Sequence, residues 1–263
     1  MADVVVFRLE APIASFGDLA VGERRTSHRR PAASAILGLV AAALGIDRAD
    51  PGHDALAAGW RIALRTDRLG APLADFHTAQ TPPQRRGRGY ATRADELAEK
   101  TDLATIVSRR DHWTDAAFTV ALWPSPEPTA GPDATAIAAA LHRPVWAPFA
   151  GRRACPLSRP LAPRVIAAAT VTAAFAAWDA AEATARACAE ARGLALPAHR
   201  VGDVYALDED FDADRPLAAA GAGLTPDRRE IRRDRLVSRA RWQYEPRGEI
   251  LARAATDTTT GAP

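Results

Sequence analysis

The sequence predicts an α+β protein, and three observations support that class. Up to Pro160 the elements follow the order strand, helix, strand, strand, helix, strand, which is the order of a ferredoxin-like domain. Of the 263 residues, 48% are hydrophobic and 25% are charged, a balance typical of globular proteins. A long polar excursion between two predicted strands indicates an insertion that is either functional or disordered.

The first elements are predicted from hydrophobic periodicity and from the glycine and proline residues that end each pattern. The β-branched run at residues 4–9 predicts a strand. Residues 31–44 carry apolar residues at helical spacing, and Gly45 predicts the end of that helix. Strands are predicted at residues 60–69, where apolar and polar residues alternate, and at residues 73–78.

The excursion follows at residues 81–100, where apolar periodicity is lost at first. We expect a domain over residues 1–160, a smaller α/β extension over residues 161–255 and a flexible tail over residues 256–263. The remaining predicted elements are a strand at 116–123, a helix at 134–141 capped by Asp133, a strand at 165–171, a helix at 173–192 capped by Thr172, and strands at 201–207 and 236–244.

Several classes of protein are excluded by what the sequence lacks. Cys155 and Cys188 give neither a metal-ligand spacing nor a disulfide framework. The N-terminus has no signal-peptide pattern, and no apolar run approaches the ~18 residues of a membrane span. Nucleotide-binding and hydrolase motifs are absent from the sequence. We therefore expect a soluble, cytoplasmic protein that does not bind a membrane, a metal or a cofactor.

Charge is segregated along the chain, although the net charge is only +2. Lys100 is the one lysine among 34 basic residues, so the rest are arginine. Residues 24–30 and 84–93 each hold four arginines and no acid, and residues 227–247 carry a net +4, whereas residues 203–215 carry a net −5. Guanidinium groups suit phosphodiester backbones. The alternatives are a codon bias toward arginine and, for each cluster, an ordinary solvated surface.

Several segments together carry a family resemblance. In order along the chain these are FRLEAP at residues 7–12 with SFG at 15–17, RTSHRRP at 25–31 with SAILGL at 34–39, DFHT at 75–78, RRD at 109–111, DAAFTVAL at 115–122 and GRRACPL at 151–157. The series resembles the Cas-five family of CRISPR-associated proteins, in the form found in type I-E effector complexes (Cascade).

The resemblance implies a RAMP-type, RRM-like ferredoxin domain with an inserted thumb at about residues 80–108. It also implies a non-catalytic subunit that caps CRISPR RNA at its 5′ handle. Its partners would be the backbone subunit CasC and the large subunit CasA, with target DNA reached only through the complex.

The expected RNA-binding residues are polar side chains in the arginine-bearing loops and at the following helix N-terminus, whose N–H groups favour phosphate. They are Arg24, Arg25, Ser27, His28, Arg30, Ser34, His77, Arg85, Arg86, Arg88, Arg109, Arg110, Arg152 and Arg153.

The alternative function is a metal-independent endoribonuclease that processes precursor CRISPR RNA, the role of the related subunit in type I-C systems. His28, His77, His112 and Tyr90 are the candidate general bases. Arginine is a poor proton carrier, and each histidine has an RNA-contact or structural reading. His112 and the adjacent Trp113 replace a Tyr-Leu-type pair of the family, which leaves open whether either ring contacts RNA.

Overall fold

The first strand is buried on both faces, so its sheet carries a layer on each side. β1 (Ala2–Ala14) has an unbroken buried run at residues 4–7. Because side chains alternate across a strand, Val5 and Phe7 face one hydrophobic core while Val4 and Val6 face another. A run of apolar residues without alternation is the pattern expected of a strand covered on both sides.

The computed structural model describes residues 1–17, 20, 22–83, 89–98, 103–126, 130–194, 201–209 and 223–254. It is a mixed α/β structure built on a large, mainly antiparallel sheet. The strands after β1 are β2 (Phe16–Gly17), β3 (Arg24–Arg25), β4 (Ser27–His28), β5 (Trp60–Arg68), β6 (Ala71–Thr81), β7 (Ala104–Pro124), β8 (Arg164–Ala168), β9 (Val204–Asp208), β10 (Leu224–Ser238) and β11 (Gln243–Ala254). The helices are α1 (Ala33–Leu44), α2 (Gly52–Gly59), α3 (Arg93–Glu96), α4 (Ala134–His142) and α5 (Val171–Ala191).

The strand order shows how the two ends of the chain meet. In the described residues the main sheet has nine strands, with the path β10-β11-β9-β5-β7-β1-β8 and with β3 and β6 also paired to β7. The expected boundary at residue 160 does not separate two sheets, because β8 pairs with β1 and β9 pairs with β5. β2 and β4 form a separate two-stranded ladder.

The helices cover the two faces of the sheet unequally. α1, α2 and α4 contribute buried residues to the first core, whereas α5 packs Phe175 and Trp178 against the second. The predicted ends at Gly45 and Asp133 are confirmed: Gly45 has φ 75°, and the Asp133 carboxylate accepts the Ala136 N–H. No helix in the described ranges is long and apolar enough to cross a bilayer.

Two predicted boundaries are wrong. α5 begins at Val171, and its N-cap is Thr170 rather than Thr172, because the Thr170 hydroxyl accepts the Ala173 N–H at 3.2 Å. The strand predicted at residues 236–244 contains the turn of a hairpin instead: β10 and β11, the C-terminal hairpin, pair as far as Ser238 and Gln243. This turn contains neither glycine nor proline, so the sequence gives no turn signal there.

A two-stranded ribbon projects from the sheet where the sequence predicts the excursion. β6 pairs residue by residue with the first half of β7, from Ala71 opposite Thr114 to Thr81 opposite Ala104. Nearly every residue of β6 is exposed, including Phe76 at 69%, so within the described ranges no helix covers this part of the sheet. The strand therefore runs beyond the short segment predicted at residues 73–78. Of the residues between the two strands, 84–88 and 99–102 lie outside the described residues.

Candidate nucleic-acid interface

Two predicted basic segments that are distant in sequence are neighbours in the sheet. β3 pairs in parallel with β7, so that Arg24 lies beside Arg109 and Arg25 beside Arg110. The Arg109 N–H donates to the Glu23 carbonyl at 3.0 Å, which continues this ladder. Strands paired in this way lie about 5 Å apart. Four arginines are therefore concentrated beside the middle of the ribbon, with Arg24 and Arg109 on one face of β7 and Arg25 and Arg110 on the other.

A third basic segment joins this cluster through Arg152. Its Nη2 donates to the carbonyl oxygens of Arg25 at 2.9 Å and Thr26 at 3.3 Å, and its Nη1 donates to the carbonyl of Asp111 at 3.3 Å. Burial lowers the pKa of this guanidinium. Arg152 thus donates its hydrogen bonds to backbone carbonyl groups of the protein, whereas the adjacent Arg153 is exposed.

The loop that carries Arg152 approaches β1 closely because it contains a glycine. Gly151 has φ 86°, and a Cβ built at this position would lie 2.0 Å from the Ser15 carbonyl oxygen. The Ser15 N–H also donates to the Ala150 carbonyl at 3.1 Å. A side chain at position 151 would therefore push the loop away from the cluster.

One carboxylate lies inside the arginine cluster. The Arg24 Nε and Nη2 donate to Asp111 Oδ2 at 3.0 and 2.9 Å, and the Arg109 Nε donates to Asp111 Oδ1 at 3.3 Å. Burial tends to raise the pKa of Asp111, but the hydrogen bonds and charges of both arginines outweigh it and lower that pKa. The carboxylate is therefore ionised at neutral pH. We call Arg24, Arg25, Arg109, Arg110, Asp111, Arg152 and Arg153 the basic cluster.

Ser27, His28 and Ser34 follow β3 in the chain, and Ser27 has a structural role. The Ser27 hydroxyl accepts the Phe16 N–H at 3.0 Å and donates to the His28 carbonyl at 3.1 Å, within the β2–β4 ladder. His28 and Ser34 line a cavity of about 790 Å³ between the start of α1 and the turn of the C-terminal hairpin. The same cavity is lined by Phe149, Arg232, Arg233, Arg239, Trp242 and Tyr244, among others.

Arg30 and the start of α1 have surroundings different from those expected. The Arg30 guanidinium, 14% exposed, pairs with Glu230 and Glu249, whose charges outweigh its burial and raise its pKa. The Ala33 N–H at the helix start donates to Asp234 Oδ2 at 2.8 Å. Carboxylates of the C-terminal hairpin thus contact both the Arg30 guanidinium and the N-terminus of α1, which the sequence analysis expected to bind phosphate. We therefore leave Arg30 and this helix end out of the basic cluster.

Several arginines of the basic window at residues 227–247 are neutralised inside the protein. Arg247 donates to Asp234 at 2.8 and 3.0 Å and to Glu249 at 3.0 Å, and it also pairs with Asp208. Asp208, which belongs to the acidic window at residues 203–215, is a buried residue of β9. We call Arg30, Asp208, Arg232, Asp234, Arg247 and Glu249 the ionic cluster.

Comparison with known proteins identifies the family. Residues 4–247 match the family model described as CRISPR-associated protein (Cas_Cas5). The chain belongs to this Cas-five family. It is also 32% identical over 170 residues to the CRISPR system Cascade subunit CasD of Escherichia coli (strain K12), a match that covers 61% of this chain and 70% of the relative.

Solved structures agree with the Cas-five assignment. One, described as a CRISPR RNA-guided surveillance complex, is 26% identical with a TM-score of 0.57, over 99% of this chain and 94% of that chain. Another, described as a crystal structure of a Cas protein, is 19% identical with a TM-score of 0.53, over 99% of this chain and the whole of that chain. The second likeness concerns the fold alone.

Other expected site residues of this Cas-five protein lie on or near the ribbon. His77 is exposed on β6 opposite Ser108. Arg85, Arg86 and Arg88 lie outside the described residues. These residues therefore remain predictions.

The aromatic pair after the arginines has a structural environment. His112 is buried with its Nδ1 3.2 Å from the Arg110 carbonyl oxygen, and Trp113 packs partly buried against the first core. The Arg29 guanidinium lies 5.8 Å from the centre of the Trp113 ring. Both rings thus contribute to packing at the base of the ribbon. Across the described ranges, no group of three or more His, Cys, Asp or Glu side chains is arranged to hold a metal.

The sequence interpretation missed Asp111, although it quoted this residue in the RRD segment. An acid directly after two arginines was the available signal. In β7, however, neighbouring side chains point to opposite faces. That Asp111 shares a face with Arg109, and receives Arg24 from another strand, depends on the β3–β7 register and could not be deduced from spacing alone.

Proposed function

We propose that this chain is a non-catalytic subunit of a type I-E CRISPR effector complex, where it binds the 5′ handle of CRISPR RNA and helps to assemble the complex. The observation that carries the proposal is the convergence of residues 24–25, 109–110 and 152–153 in one basic cluster of a Cas-five protein. The similarity to CasD supports the type I-E assignment.

The chemistry of the basic cluster fits the end of a single-stranded RNA. Such a strand needs its phosphates neutralised and its unpaired bases held. Arg24 and Arg109 remain 59% and 47% exposed despite their contact with Asp111, so both can offer N–H groups to phosphate oxygens. The cavity lined by His28 and Ser34 adds the exposed ring of Phe149, on which a base can stack.

A ferredoxin-like domain with an inserted thumb is part of the proposal. The order β5-β7-β1-β8 supports it, since these strands correspond to the second, third, first and fourth of a β-α-β-β-α-β unit whose helices are α1 and α4. The exposed ribbon supports a thumb around residues 80–108. Because β8 supplies the fourth strand, we propose that this unit ends after Ala168 rather than at residue 160.

The partners follow from the same proposal. We propose contacts with CRISPR RNA, with the backbone subunit CasC and with the large subunit CasA, and contact with target DNA only through the assembled complex. The location would be the cytoplasm, where the RNA is processed.

RNA binding at several salt concentrations tests the proposal. We expect the protein to bind RNA carrying the handle and to bind a handle-deleted RNA far more weakly. Replacing Arg24, Arg25, Arg109 and Arg110 by alanine should flatten the plot of log affinity against log salt by about 0.7 per lost phosphate contact, or roughly 3 in total. Equal affinity for the two RNAs would overturn the handle assignment.

A matched control removes arginine charge elsewhere. Arg228 and Arg229 on β10 are 63% and 68% exposed, so their alanine variants lose two charges outside the basic cluster and should bind as tightly as wild type. The bound RNA should stay intact. Specific cuts in a repeat RNA incubated with the purified protein would favour the endoribonuclease alternative instead.

A further inference from the structure

An acid at the centre of an RNA-binding surface requires a physical explanation. A carboxylate repels phosphate, and Asp111 lies directly between Arg24 and Arg109. If local charge alone decided affinity, this position would be better filled by an uncharged residue. Asp111 must therefore gain something through its contacts that offsets the repulsion.

Asp111 contacts every segment that meets in the basic cluster. Its side chain receives Arg24 from β3 and Arg109 from β7. Its backbone carbonyl accepts the Ser15 hydroxyl at 2.9 Å and Arg152 Nη1 at 3.3 Å, which connects the end of β1 and the loop at residues 151–155. The side-chain and backbone groups of one residue thus join four parts of the fold.

We infer that Asp111 is a positioning residue for RNA binding: it holds the guanidinium groups of Arg24 and Arg109 in the orientation in which they meet the RNA. This inference rests on the proposed function. A free arginine loses rotamer freedom when it binds phosphate, and a guanidinium that is already held loses less. Asp111 uses Nε and Nη2 of Arg24 and Nε of Arg109, and both groups keep about half of their surface exposed.

The sign of the effect of Asp111→Ala separates positioning from simple electrostatics. Removal of a negative charge should tighten RNA binding if only charge matters, and should weaken it if Asp111 orients the arginines. In free Asp111→Ala the two arginine side chains are no longer held in place, so RNA binding has to order them. We therefore expect handle RNA to bind about tenfold more weakly to this variant. The slope against salt should be preserved, since every arginine is still present.

Asp75 provides the matched control. It is an exposed acid on β6, directly opposite Arg110 in the ladder and therefore on the other face of the ribbon from Asp111, so Asp75→Ala removes one negative charge near the cluster without removing a contact of Arg24 or Arg109. We expect this variant to bind RNA as tightly as wild type or more tightly. If Asp111→Ala also binds more tightly, the positioning role is refuted.

Two further readouts exclude a merely structural effect. In the Arg24→Ala/Arg109→Ala background, adding Asp111→Ala should cause no further loss of affinity, whereas a general loss of folding would persist there. NMR of the free protein should show distinct Arg24 and Arg109 Nε–Hε signals that move to the positions of mobile arginines in Asp111→Ala. Unchanged signals would overturn the inference without any RNA. Failure of the wild-type protein to bind handle RNA would instead overturn the proposed function, and with it the role of Asp111 in binding.

Discussion

Replacing Arg247 by methionine removes the central cation of the ionic cluster while keeping a long side chain. Arg247 contacts three carboxylates, and its side chain is 7% exposed. Two of those carboxylates keep other cations: Glu249 keeps Arg30, and Asp234 keeps Arg232 at 3.9 Å. Among the described contacts, Asp208 would keep the hydrogen bond that it accepts from the Ile62 N–H at 2.8 Å. The stranded charge is therefore chiefly that of Asp208.

The magnitude follows from that single stranded carboxylate. Breaking a buried ion pair by removing one partner destabilises proteins by about 3–5 kcal/mol. Since Glu249 and Asp234 remain paired, we expect the lower end, about 3 kcal/mol, which lowers Tm by roughly 6–12 °C for a chain of this size. Arg253→Ala is the control: it removes an exposed arginine 3.5 Å from Asp203 and should change stability by less than about 1 kcal/mol.

Urea unfolding of a double-mutant cycle provides the assay. Asp208→Asn alone should destabilise the protein, but in the Arg247→Met background it should restore about 1–2 kcal/mol by removing the stranded charge. If Asp208→Asn further destabilises the Arg247→Met variant, or if that variant is as stable as Arg253→Ala, the reasoning is refuted.

The same variant should show a distinct dependence on pH. Burial already raises the pKa of Asp208 in the wild-type protein, against the opposing charge of Arg247. Without Arg247 that pKa rises further. A carboxyl group with a raised folded-state pKa favours the native state at low pH, and this contribution is lost as pH rises through that pKa. The destabilisation by Arg247→Met should therefore be smaller at pH 5 than at pH 8.

Two further predictions concern the loop at residues 151–155 and the cysteines. Gly151→Ala puts a Cβ 2.0 Å from the Ser15 carbonyl oxygen at a residue with φ 86°, so we expect it to destabilise the protein by about 2–3 kcal/mol in thermal melts. Gly17→Ala is the control, because a Cβ there meets none of the described atoms within 4 Å and should have little effect. Equal Tm values for the two variants would contradict this account. Cys188 is exposed, whereas Cys155 is buried, which raises the pKa of its thiol. A thiol reagent should therefore label one cysteine in the native protein and two after denaturation, and rapid native labelling of both would be the contrary result.

Local signals in the sequence identified the elements that local physics decides. The buried run at residues 4–7, the glycine end of α1 and the Asp133 cap all depend on residues close in the chain. The turn of the C-terminal hairpin was missed because it lacks the usual turn residues. Its register comes from the pairing of β10 with β11, which the sequence pattern does not reveal.

The site was predictable by segment but not by side chain. The arginine-bearing segments at residues 24–25, 109–110 and 152–153 do converge. Whether an arginine faces solvent depends on whether acidic side chains from distant parts of the sequence contact it in the fold. Arg30 is turned inward because Glu230 and Glu249 come from the far end of the chain, and a charge window cannot contain that information.

The place of β9 in the sheet has a consequence for synthesis of the chain. β9 and then β11 lie outside β5, although both are made long after it. Until residues 204–208 emerge from the ribosome, the backbone N–H and C=O groups of residues 63–66 form an open sheet edge, which is a template for intermolecular pairing. A chain truncated near residue 200 should therefore aggregate. The missing C-terminal strands, supplied as a separate polypeptide, should rescue it by strand addition.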